Sequence, residues 1–341
     1  MSAIVTKETL INEAMVLKSG NSKKAEKFIM KLEKFLTEEP DDELKLILYT
    51  WRTVVVDDNL QGFKKCCEIA SPIFDILQST VDWGYVEFYT LSAAIGYNTD
   101  FKKTLEFFEE ALEVLSYEEY VNDTGYRSIR IALHCNLCLR ILRAKYYDPN
   151  SDIAHLQKLF KQSYDYVVER SRHKNLPYKD MLEVYRAVFE NTLEGVEEGL
   201  DTLSELIDRK WYNIAKHNIM DLVALMDGEM SKPLARLLIG HQMRKRRIEL
   251  GLSISDLAEI LGWENVAVGA IERAADGISM QRLRKVAQAL GVTLEYFCGD
   301  ESQVYEDDPF ITAVRAYTRG ASDADKEFIL SHTKLYMGIK G

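Results

Sequence analysis

The chain of 341 residues is 47% hydrophobic and 28% charged, with a net charge of −11. This balance excludes a disordered or collagen-like chain, and no run of about 18 apolar residues exists that would span a membrane. The length fits two domains, or one long solenoid with an appended module.

The opening stretch, MSAIVTKETLINEA, holds acidic residues and no apolar core of signal-peptide length, so a cytoplasmic protein is expected. Five cysteines, an odd number, fit reduced thiols. Only six prolines interrupt the chain, and long helices are predicted.

From Glu8 to about Met226 the pattern alternates helical stretches with short breaks and no convincing strand. Asn21 to Leu36 places Ala25 and Leu32 on one face and closes at Pro40. Leu44 to Val56 pairs with Gln61 to Leu77, and Tyr85 to Tyr97 pairs with Asn98 to Val114. In that last segment a turn at Thr99-Asp100 precedes Phe101, and Leu105, Phe108, Ala111 and Leu112 share a face. Tyr126 to Tyr146 pairs with Ser151 to Val168 across Asp148-Pro149-Asn150. Tyr178 to Asn191 pairs with Leu193 to Ile207, and Trp211 to Met226 opens one more helix.

These pairs, at a loose period of about forty residues, resemble tetratricopeptide repeats. The resemblance implies an α-solenoid with a concave groove lined by the first helix of each pair, suited to an extended peptide or a partner helix. Tyr89, Tyr97, Arg130, Asn136, Tyr185 and Asn191 lie on those first helices and are the candidate effector contacts, since aromatic bodies with polar tips serve peptide recognition. The competing reading is that the tyrosines pack between repeats.

Motifs for chemistry are sparse. Cys135 and Cys138 form a C-x-x-C inside the apolar run IALHCNLCLRIL, with no second Cys/His pair at zinc-finger spacing, and read as small core residues. His173, His217, His241 and His332 are scattered, and Gly195 and Gly199 are not followed by the Gly-Lys of a phosphate loop. No enzyme, cofactor or metal site is expected.

Asp227 to Pro233 reads as the joint between two units, with Ser231 capping a helix whose first turn holds Pro233, hence a stiff corner. Beyond it, Leu257, Ala258 and Leu261 precede Gly262, Val268 and Ile271 repeat three apart, and Leu283, Val286, Ala287 and Leu290 precede Gly291. Together with Arg246, Gly251, Leu252, Ser253, Glu272 and Val292, this ordered set resembles a phage repressor/Cro-type helix-turn-helix domain from roughly Ile239 to Phe297.

That resemblance implies a DNA-binding transcription regulator. Asn265 would read an adenine edge, Val266 would touch a thymine methyl, and Ser253, Arg273, Arg244 and Lys245 would hold phosphates. The chain departs from the family in two places. Ile254 stands where a Gln is usual, and the groove-facing positions read Asn265, Val266, Ala267, Gly269 and Ala270, where Gly269 offers no side chain. Net charge is −11 over residues 1–230 and +2 over 231–300, so only the segment with Arg244, Lys245, Arg246 and Arg247 would attract a nucleic acid, unless that run is a solvated helix face.

After Phe297 an acidic loop, Gly299-Asp300-Glu301, leads to predicted helices from Pro309 to Tyr317 and from Ser322 to Tyr336, an extension that would pack on the helix-turn-helix domain or pair two copies. The expected organisation is all-α: a tetratricopeptide-like solenoid over 1–230, a helix-turn-helix domain over 231–300 and helices over 301–341. Such a combination resembles the peptide-sensing transcription regulators of Gram-positive bacteria with the domain order reversed. The expected partners are double-stranded DNA, a peptide or protein effector in the groove and a second copy of the chain, with no membrane. The alternative is an adaptor or antagonist whose helix-turn-helix fold no longer reads DNA, because the uncharged face of Ile254, Val266, Ala267, Gly269 and Ala270 suits a protein.

Overall fold

The computed structural model describes residues 5–17, 22–58, 63–147, 151–171, 177–206, 210–226 and 231–297. The expectations placed on Asp148-Pro149-Asn150, on Asp227 to Met230 and on the segment after Phe297 lie outside these residues.

Among the described residues every regular element is a helix, as the periodicity predicts. Helices α1 (Lys7–Val16) and α2 (Ser22–Glu38) open the chain. Pairs follow: α3 (Asp42–Asp58) with α4 (Phe63–Ser79), and α5 (Tyr85–Ala94) with α6 (Phe101–Val114). A short α7 (Glu118–Val121) precedes α8 (Thr124–Tyr147) with α9 (Ile153–Ser171), then α10 (Pro177–Glu190) with α11 (Leu193–Ser204). Next come α12 (Lys210–Leu225) and α13 (Ser231–Glu249). The C-terminal module adds α14 (Ile254–Leu261), α15 (Asn265–Glu272), α16 (Met280–Leu290) and α17 (Leu294–Phe297).

Local chemistry sets these limits. Asp100 caps α6 by accepting from the Lys103 amide, which ends the 3-10 turn Ile95–Tyr97 that finishes α5. Helices α14 and α16 both stop at glycines in the left-handed region, Gly262 at φ +66° and Gly291 at φ +64°, where a side chain would be strained.

The first helices pack on one another in the order α3, α5, α8, α10, α12, and α12 also touches α8, so the row closes back on its middle. Helices α4, α9 and α11 pack on their own first helices. One apolar core runs through this rack from Leu10 to Leu238, and a second, from Met243 to Phe297, fills the C-terminal module. Each fully buried Leu, Phe or Ile contributes about 1.5–3 kcal/mol relative to its exposed state.

Helix α13 belongs to both cores. Leu234, Leu237 and Leu238 lie in the rack's core and Met243 in the module's, so one unbroken helix passes from one core to the other between 238 and 243, C-terminal to the joint that the sequence reading places at Asp227 to Pro233. At Gly240 the helix comes so close to the end of α15 that an added Cβ would sit 2.4 Å from the Ile271 carbonyl oxygen. A backbone cannot yield as a flexible side chain can, so this position demands glycine.

Candidate nucleic-acid interface

The module presents α14, a turn and α15. Ser253 caps α14 by accepting from the Asp256 amide at 3.1 Å, while the Asp256 carboxylate accepts from the Ser253 amide at 2.7 Å. The hydroxyl proton of Ser253 is left to donate, but a carboxylate stands beside it. After Gly262 and Trp263 the chain enters α15, whose inner face buries Val268 and Ile271 against α13 and α14.

Its outer face carries Asn265, Val266 and Arg273, all exposed, with Val266 at 75%. The Asn265 amide nitrogen lies 3.4 Å from the Ser255 hydroxyl, a weak tether that leaves the side chain free to turn. Gly269 is buried because Arg273 folds over it: an added Cβ would lie 2.9 Å from the guanidinium Nη1. The missing side chain at Gly269 therefore makes a lane for Arg273.

Behind this face Arg247 donates to both Glu272 carboxylate oxygens at 2.7 and 2.9 Å and to the Leu252 carbonyl at 2.7 Å. That pair is buried, and the hydrogen bonds that Arg247 donates to Glu272 raise the arginine's pKa further. Arg246 donates to the Leu290 carbonyl at 3.2 Å and meets Glu249 at 3.3 Å. The Lys245 ammonium lies 3.9 Å from the centre of the Tyr212 ring on α12, and Arg244 stands 3.9 Å from Glu197 on α11. Four consecutive helical residues point about 100° apart. The basic run accordingly makes no single patch: two members hold the module together and two face the rack.

The rack carries a second cluster that sequence reading misses. Arg143 of α8 is fully buried, its guanidinium 4.5 Å from the Phe63 ring centre and 4.9 Å from that of Tyr97. It donates to the Gly96 carbonyl at 3.0 Å and meets Asp221 of α12 at 3.4 Å. Beside it, His217 Nε2 lies 3.3 Å from Asp57 of α3, and Tyr97 also hydrogen-bonds Asp57. Burial alone would push His217 down, but the hydrogen bond and charge of Asp57 win and hold its pKa above 6.5. The same pairing, with Arg143, holds Asp57 below the usual carboxylate range against its own burial, whereas burial raises Asp221. Donor atoms of Asp57, His217 and Asp221 lie within 4.8 Å of one another, a spacing that suits a metal ion, but the Arg143 cation already stands among them. The only signal in the sequence is a charged residue set inside an apolar helical run, as in LRILRA and IMDLVAL.

The six effector candidates do not share one surface. Tyr97 joins the Arg143 cluster, and Tyr185, 1% exposed, accepts from Asn218 at 2.7 Å. Tyr89 packs on the core, and burial lifts its pKa to about 12. Asn136 ties α8 to α5 by donating to the Ser92 carbonyl at 2.7 Å, and Asn191, at φ +59°, accepts from Tyr146 at 3.0 Å. Arg130 keeps two guanidinium nitrogens, Nε and Nη2, buried and without a partner. Cys135 and Cys138 are free buried thiols whose pKa values burial raises.

Two short helices joined by a tight glycine turn, the second with an open outer face, define a helix-turn-helix module of the kind found in DNA-binding regulators. Residues 243–297 match the helix-turn-helix family HTH_3, a match confined to this module and not extending into the rack. No curated protein and no solved structure matches the chain. No helix among the described residues is long and apolar enough to cross a membrane.

Proposed function

We propose that the protein is a DNA-binding transcription regulator in which α15 enters a major groove and the helical rack holds a peptide or protein effector. The observation that carries this reading is the outer face of α15: the helix packs on α13 and α14 by its opposite, inner face, and Asn265, Val266 and Arg273 stay exposed. Asn265 reads an adenine edge and Val266 meets a thymine methyl, while Gly269 gives Arg273 room to swing to a phosphate and Ser253 donates to another. Arg244 and Lys245 reach phosphates only after releasing Glu197 and the Tyr212 ring.

Helix α12 supplies a route from rack to module. Lys216 sits against the rings of Tyr212 and Tyr296 of the module side, and its neighbour His217 sits in the Asp57 cluster. An effector that binds one arrangement of that cluster more tightly than another would move α12, and α13 with it, by its differential affinity alone. Two half-sites one helical turn apart would require a homodimer.

A second reading, an adaptor that binds protein instead of duplex, is favoured by one observation. Ile248, Ile260, Val266 and Met280, between 55% and 75% exposed, give the module an apolar exterior. Titration of the full chain with duplex DNA at two salt concentrations separates the readings. Duplex binding predicts a slope of about 0.9 log units per phosphate neutralised. No binding at either salt concentration would leave the adaptor.

A further inference from the structure

Between α8 and α9 lies a group of donors with nothing to donate to. Arg130 has Nε and Nη2 buried without a partner, and no carboxylate pairs with it among the described residues. One turn later on the same face of α8, His134 is 6% exposed and its Nε2 is likewise unpartnered. The other ring nitrogen, Nδ1, lies 3.1 Å from the Ser163 hydroxyl. With that hydroxyl donating to Nδ1, the proton of the neutral ring sits on Nε2 and makes it a third donor. The Tyr166 ring then stacks on His134, with centroids 3.9 Å apart, and the Arg170 guanidinium covers Tyr166 at 3.8 Å. Tyr166 therefore lies between His134 and Arg170, and Arg170 donates to Glu169 at 3.2 Å, which leaves Arg130 and His134 with the unpartnered donors.

A half-buried guanidinium whose Nε and Nη2 are buried without a counter-charge is costly, and unsatisfied groups of this kind are those a water or an ion serves. Burial first, then the charges of Arg170 and Arg130, hold the His134 pKa down at about 3, so the imidazole does not add a third positive charge. The surroundings favour an acceptor that is itself anionic, and Arg130, only half-buried, gives one a path from solvent.

We infer that Arg130 and His134 form a binding site for a single oxyanion, the phosphate or carboxylate group of a small ligand. Arg130 supplies the planar fork that such groups accept, and His134 Nε2 closes the third hydrogen bond. The inference goes beyond the DNA reading and does not depend on it, since neither α8 nor α9 belongs to the helix-turn-helix module.

Thermal unfolding of the full chain tests the inference, with inorganic phosphate and acetate as probes against chloride at equal ionic strength. The expected result is a rise in Tm of a few degrees that grows with the concentration of the bound anion. A rise with phosphate alone assigns a phosphate, one with acetate alone assigns a carboxylate such as a peptide terminus, and one with both assigns the shared oxyanion chemistry. Arg130→Met should abolish the rise and, by removing the orphaned charge, leave the protein at least as stable in chloride. If neither anion exceeds the chloride control, water satisfies these donors and the inference falls. It falls equally if Arg130→Met keeps the full response.

Discussion

Arg247 and Glu272 stand 25 residues apart in sequence and form the buried pair on which the module's geometry depends. Removing one partner strands the other charge, so Glu272→Ala should cost about 3–5 kcal/mol in denaturant unfolding, while replacing both by Met should recover most of the loss. Asn265 makes the opposite kind of prediction. It bears no structural load, so Asn265→Ala should leave stability unchanged. Selection of duplexes from a random pool should instead show a relaxed preference at one base pair, worth about 1–3 kcal/mol. The exposure of Asn265, Val266 and Arg273 was legible in the sequence because their register follows from the buried Val268 and Ile271 on the other side of α15. Arg247 was not, since a guanidinium in a basic run looks the same whether it meets water or a glutamate from a distant helix.

Helices themselves were legible wherever an apolar stripe repeats every three or four residues, and the pairs α3–α4, α5–α6, α8–α9 and α10–α11 fall where the pattern puts them. What joins them was not. Asp57 and His217 are 160 residues apart, and nothing local in either helix announces the other. This latch gives α12 a pH dependence. Because folding raises the His217 pKa above 6.5, its stabilisation is whole below pH 6.5 and fades as pH rises through the raised value. Asp57, held low, contributes above pH 3.8 and loses its share only in acid. Tm measured from pH 6 to pH 9 should therefore fall on the alkaline side, and His217→Gln should flatten that limb. Helix α13 offers a steric counterpart: Gly240→Ala drives a methyl into the Ile271 carbonyl and should cost about 1–3 kcal/mol of stability.

At the scale of the molecule, an acidic rack carries a small, slightly basic module on a helix that both share. The net −11 over residues 1–230 repels duplex, which restricts approach to the module and makes its orientation on the rack matter. The account's central claim is that the outer face of α15 meets DNA, and Val266 is the most exposed apolar side chain on it. The direct measurement is duplex affinity of the full chain at low salt for Val266→Glu, with Val81→Glu, at a site 93% exposed in the rack, as control. The account predicts at least a tenfold loss for Val266→Glu, about 1.4 kcal/mol or more, and little change for Val81→Glu. Equal affinities for both variants and the unaltered chain would contradict it.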